Sequence, residues 1–172
     1  MNRVIVLFLS LIIIGCNNDK RGGGAESCKT QIELIKKMEQ DFVASEFDKS
    51  LVQGLMVSYA EFSNSCPADS LAPEFLMRRA DLLRGEGKVR EAIRQFKAIH
   101  DGYPQYANHI TCAFVAAFLY ETELNDDDMA EKLYLQIIES YPKSPEAEVA
   151  RVSLRHLRET PAEMMRRLRG EG

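Results

Sequence analysis

The chain predicts an all-α fold: a short solenoid of about three helix hairpins, closed by C-terminal capping helices. Three observations carry that expectation. The phrase EAIRQFKAIHDGYP (Glu91 to Pro104) returns as MAEKLYLQIIESYP (Met129 to Pro142), so Ala92, Phe96, Ile99, Tyr103 and Pro104 recur 38 positions on as Ala130, Tyr134, Ile137, Tyr141 and Pro142. A small residue with bulky apolar residues four and seven positions later marks one face of a helix. A self-similar period of this length, with a second apolar helix ahead of each copy, means stacked hairpins. Strand signals, by contrast, are missing after residue 25.

At 172 residues the chain suits one domain plus an appendage. Hydrophobic content of 45% and charged content of 28% are those of an ordinary soluble domain. A formal net charge of -4 supplies no overall attraction to nucleic acid or anionic lipid.

Residues 1–15 read as a targeting segment rather than part of the fold. Asn2-Arg3 is a short basic start, and Val4 to Ile14 is an unbroken apolar run of eleven. Such a run is too short to cross about 30 Å of hydrocarbon, but it suits a signal-peptide core. It ends in Ile13-Ile14-Gly15-Cys16, which resembles the lipobox of bacterial lipoproteins. The resemblance implies that Cys16 is lipidated after cleavage before it, and anchoring by more than one acyl chain is stable where a single chain is marginal. The bland alternative is an ordinary signal or an uncleaved anchor with Cys16 incidental. Residues 16–25 form a polar tether, since three consecutive glycines (Gly22 to Gly24) disfavour a helix. Asn17, rather than Asp, follows the cysteine. By resemblance to the enterobacterial sorting rule this implies the outer membrane, lipid-anchored on the periplasmic side, with surface display left open.

The helical domain spans residues 26–172. Its repeats fall at about 36–69, 73–106 and 110–144, with a cap at 145–169. In the first hairpin Ile32, Leu34, Ile35, Met38, Phe42 and Val43 follow helical spacing. A break near Ser45 offers Asp48 as an N-cap, and Leu51, Leu55, Tyr59 and Phe62 mark the second helix, which stops at Cys66-Pro67. In the next copy Ser70 is available as a cap, and Pro73 sits in the first turn, where its missing N–H costs nothing. Leu76, Ala80 and Leu83 follow; Gly85 to Lys88 turns the chain; then Val89, Ala92, Ile93, Phe96 and Ile99 form the partner helix. In the third copy the first helix is rich in small residues (Ala113, Ala116, Ala117), which lets neighbours approach, and Leu124 to Asp128 makes a longer turn. Ser144-Pro145 opens a further helix with the stripe Ala147, Val149, Ala150, Val152, Leu154 and Leu157. Thr160 to Glu163 has capping-box spacing for a last short helix.

Signals for chemistry are sparse. His100, His109 and His156 lack cysteines or paired carboxylates at metal-ligand spacing, and Asp126-Asp127-Asp128 lacks the alternation and glycine of a calcium loop. Negative charge ahead of a helix is favoured by its dipole in any case. No phosphate loop, nucleophile elbow or C-x-x-C occurs. No cofactor, metal or nucleic acid is expected, nor catalysis. Tyr120 and Tyr134 are assigned to the core. Cys28 opens the first helix and Cys66 ends the second, at similar distances from the turn near residue 46. An antiparallel hairpin therefore brings them within disulfide reach; two free thiols in core-facing positions is the equal alternative. Cys112 is expected as a buried free thiol.

Leu76, Ala80, Leu83, Gly87, Ala92, Phe96, Ile99 and Pro104 stand at the large, small and aromatic points of the tetratricopeptide repeat, which the chain resembles over most of residues 36–158. Together with Cys16, this is similar to outer-membrane lipoproteins that carry such repeats, of the BamD and YbgF kind. The resemblance implies a membrane-anchored periplasmic scaffold for protein–protein interaction, in envelope assembly or maintenance. The other reading is an accessory subunit of an envelope enzyme, or such an enzyme with an unrecognised site. In tetratricopeptide stacks the first helix of each hairpin lines the concave face. That implies a peptide or protein partner contacting Met77, Asp81 and Arg84 in one copy and Phe114, Phe118 and Glu121 in the next, with Gln40 and Ala44 in the first. Phe114 and Phe118, four residues apart, share a face and are expected to be exposed, unless the C-terminal helix covers them through Leu154 and Leu157. Met77 and Asp81 do not match the carboxylate clamp of chaperone-binding relatives.

Overall fold

The computed structural model describes residues 23–46 and 48–170. Eight helices account for the regular structure among them: α1 (Gly23–Ala44), α2 (Lys49–Ser65), α3 (Ala72–Gly85), α4 (Val89–Gly102), α5 (His109–Thr122), α6 (Asp127–Ser140), α7 (Pro145–Arg158) and α8 (Pro161–Leu168). From α1 to α7 each helix packs against the next, and α5 also reaches α7. This is a repeat-like α-solenoid.

The repeat is written into the backbone. Cys66, Tyr103 and Tyr141 cap the C-termini of α2, α4 and α6 with nearly the same dihedrals (φ -127, -130 and -131). Each donates its backbone N–H to the carbonyl four residues back, on Phe62, Ile99 and Ile137. A proline follows in all three cases and stops the ladder. The turns inside the hairpins repeat as well. Among the described residues each contains one with positive φ: Glu46 (55°), Gly87 (75°) and Asn125 (50°). Glycine adopts that geometry freely and asparagine tolerates it.

Packing follows the repeated phrase. Ala92, Phe96, Ala130 and Tyr134 are all fully buried, so each alanine admits a neighbouring helix and each ring fills the seam beside it. One core joins α2 to α5 through Val52, Ala80, Phe96, Ile99 and Ala116. A second lies under α1 and α2 around Ile35, Leu55, Phe62 and Phe75, and a third lies between α5, α6 and α7 around Ala117, Tyr134 and Leu154. Caps read from sequence are present at Asp48, which accepts from Ser50, at Ser144, and in the Thr160–Glu163 box.

Four expectations need correction. Gly23, Gly24 and Ala25, placed by sequence in the tether, form the start of α1. They lie in the first turn, where the backbone N–H groups have no intrahelical partner anyway, so glycine costs least there. Ser70 is not a cap: the N-cap of α3 is Leu71, with no side-chain bond, and Asp69 accepts from its backbone N–H at 2.9 Å. Leu34 and Val43 on α1, expected in the stripe, are exposed, as are Val149 and Val152 on α7. The reason is shared. As the outer helices of the stack, α1 packs chiefly on α2 and α7 chiefly on α6, with a smaller contact to α5, so their buried stripes are narrower than the apolar ones.

Candidate functional site

The first helices of the two middle hairpins, α3 and α5, each contribute three of the expected contact residues. Met77, Asp81 and Arg84 fall 37 positions before Phe114, Phe118 and Glu121, so the two triplets occupy equivalent turns. One exposed ion pair joins the C-terminal ends of these helices, Arg84 Nε donating to Glu123 Oε1 at 3.4 Å.

The six residues divide into two groups. Met77 is half-buried beside Tyr106, whose hydroxyl donates to Glu74 Oε2 at 2.7 Å with Met77 Sδ 3.4 Å away. Glu121 accepts from the buried Tyr134 hydroxyl at 2.7 Å. Phe114 packs on the Tyr134 ring, with centroids 5.6 Å apart, and belongs to the core between α5, α6 and α7. These three therefore have packing duties, and the expectation that both rings stand free fails for Phe114. Phe118 is 40% exposed and, among the described residues, stacks only against Phe114, at 6.3 Å. Asp81 and Arg84 are exposed too. Partial desolvation lifts the Asp81 carboxyl above its usual range; Arg84 opposes this and Glu74 adds to it. The exposed members of the six are thus an apolar ring on α5 and one acid and one base on α3. Gln40 and Ala44 on α1 are exposed as well.

A polar network that sequence reasoning missed braces one end of this face. Tyr59 donates to Glu39, Arg78 bridges Glu39 and Glu74, and Tyr106 donates to Glu74. It links α1, α2, α3 and the loop before α5. The Tyr106 hydroxyl bond holds Glu74 below the usual carboxyl range, desolvation opposes that, and Arg78 helps. Burial, then Glu74, pushes the Tyr106 phenol up to about 12. Both groups therefore keep their neutral-pH forms, an ionised acid accepting from a neutral phenol. A second missed cluster stacks His100 on His109 at 5.8 Å with Tyr141 edge-on to both. The Nδ1 atoms of the two histidines lie 3.0 and 2.8 Å from the carbonyls of His109 and Tyr106, which assigns the ring protons to those nitrogens. Residues joined across 20 to 39 positions leave no periodic trace in a sequence.

Cys28 and Cys66 form a disulfide with Cα atoms 6.1 Å apart, clamping the open end of the first hairpin. Cys112 is free and buried. Burial pushes its thiol up to about 12, with Asp81 and Glu74 adding to the shift, so it is neither a thiolate nucleophile nor a ready metal ligand. No group of three His, Cys, Asp or Glu side chains able to hold a metal occurs among the described residues. A cleft of about 390 Å3 lies between the loops that join the hairpins, lined by Pro67, Pro73, Tyr103 and Tyr106. Cys16 lies outside the described residues, among which no helix is long and apolar enough to cross a membrane. No family model, curated protein or solved structure matches this chain. The functional reading therefore rests on the residues themselves.

Proposed function

We propose that this protein is a non-catalytic scaffold of tetratricopeptide type, anchored to the periplasmic face of the outer membrane through lipid on Cys16, that holds a protein or peptide partner on the face formed by α3 and α5. The carrying observation is Phe118, a large apolar side chain left 40% exposed at the position of α5 equivalent to the exposed Asp81 of α3. Aromatic residues in such settings anchor partners, and an amphipathic helix laid against the face would bury its apolar side on the ring. The lipobox-like run Ile13-Ile14-Gly15-Cys16 supports the anchor, and the stack of short hairpins supports the scaffold.

Two experiments test the two halves. Cys16→Ala is expected to leave a precursor or a soluble form; processing and sedimentation with the outer membrane like the parent would remove the anchor. For the surface, a photo-crosslinking amino acid is placed at Phe118 and, as control, at Leu135, which is similarly exposed on α6 at 43%. A partner band from position 118 and none from position 135 is the expected result. Equal bands, or none from 118, defeat the surface.

A further inference from the structure

Arg79 on α3 is at odds with its surroundings. Its equivalent 37 positions on is Ala116, which is fully buried and simply fills the seam between helices. Arg79 instead is partly buried and brings a guanidinium to the edge of the packed helices. Its Nη1 donates to the neutral amide of Gln95 at 2.7 Å, and this is its only hydrogen bond among the described residues. The Nε atom is buried and meets no acceptor. None of the ion pairs among the described residues includes it. The contrast with Arg78, one residue earlier, is complete, since Arg78 is held by both Glu39 and Glu74. Burying charge without a counter-charge is costly. A guanidinium has five donors in a fork shaped for an oxyanion, and here one is used.

Arg79 also lines an open groove of about 240 Å3 between α2 and α4, with Gln53 and Asn64 on one wall and Lys88 on the other. Two amides and an ammonium therefore share this groove with the guanidinium. Glu61 and Glu91 line the same groove and offset the two cations, so any bound anion adds uncompensated negative charge. A carboxylate adds one such charge and a phosphate dianion nearly two, which makes the carboxylate the less costly occupant. We propose that this groove binds a single carboxylate group, with Arg79 as the fork at its floor and Lys88 as the second cation at its rim. The volume suits a small free carboxylate or one acidic side chain of a peptide. The site faces α2 and α4, apart from the α3–α5 face carrying Phe118, and does not depend on that face being a docking surface.

The test reads the Arg79 Nε–Hε signal in 15N-labelled full chain, assigned by through-bond correlation along the side chain. Propionate, the capped tripeptide Gly-Glu-Gly and its Gln counterpart are titrated in at constant ionic strength. The proposal expects a saturable shift of that signal with propionate and the Glu peptide and none with the Gln peptide. A Glu peptide that binds about tenfold tighter than propionate identifies a peptide side chain as the source, and equal affinity a free small carboxylate. Lys88→Gln is expected to weaken either several-fold without altering the fold. Two results overturn the site. One is the absence of any saturable shift with either carboxylate. The other is a movement of the signal in Glu61→Gln or Glu91→Gln without ligand, which would show that one of these acids already closes on Arg79.

Discussion

The hairpins α3–α4 and α5–α6 have one backbone and two chemistries. Their inner positions match: Ala92 with Ala130, Phe96 with Tyr134, Ile99 with Ile137, and the caps Tyr103 and Tyr141. Their outer positions do not. Where α3 carries Asp81 and Arg84, α5 carries Phe118 and Glu121. The core phrase sets the spacing of helices, and positions released from that duty are the ones free to differ. Even inside the core one atom differs. The Tyr134 hydroxyl needs an acceptor and has Glu121, whereas the equivalent of Glu121 in the other hairpin is Arg84, which only donates.

The harshest way to break this equivalence is at the small residues. Ala92→Leu and Ala130→Leu each force a longer side chain into a fully buried contact and are expected to cost about 1–3 kcal/mol alike. Chemical denaturation of both variants checks it; a large loss in one and none in the other would mean the copies are not packed equivalently. The ring exchange is more pointed. Phe96→Tyr buries a hydroxyl with no acceptor placed as Glu121 is and is expected to cost about 1–3 kcal/mol, while Tyr134→Phe gives up one hydrogen bond at about 0.5–1.5 kcal/mol. A gain in stability from Phe96→Tyr would contradict the account. Smallest is the turn. Gly87 has φ 75° and open space around any added Cβ, so Gly87→Ala carries only backbone strain, about 1 kcal/mol. Asn125→Ala at φ 50° is expected to cost less, because asparagine has already accepted part of that strain. Thermal melts of the pair give the order.

The parts legible in the sequence are those that depend on neighbours along the chain. Helical spacing exposed Ala92 and Ala130, prolines exposed the hairpin ends, and capping residues exposed Asp48, Ser144 and Thr160. Spacing does not say how many sides of a helix are covered, which is why Val149 and Val152 looked like core. Nor does it say how far a ring turns toward the next helix. Phe114 and Phe118 read as a pair, yet only Phe114 reaches Tyr134. The network from Tyr59 to Tyr106 and the lone guanidinium of Arg79 depend on rotamers and helix rotation, and those are settled only when the hairpins stack.

That split between the two rings is the sharpest point of the account. Phe118→Ala and Phe114→Ala are compared by melting temperature and by yield of crosslinked partner. Phe118→Ala is expected to melt like the parent and to lose the partner, whereas Phe114→Ala is expected to melt several degrees lower through the core it shares with Tyr134, a loss of about 2 kcal/mol or more. A Phe118→Ala variant that melts low and still holds its partner would contradict the assignment of the α3–α5 face as the binding surface.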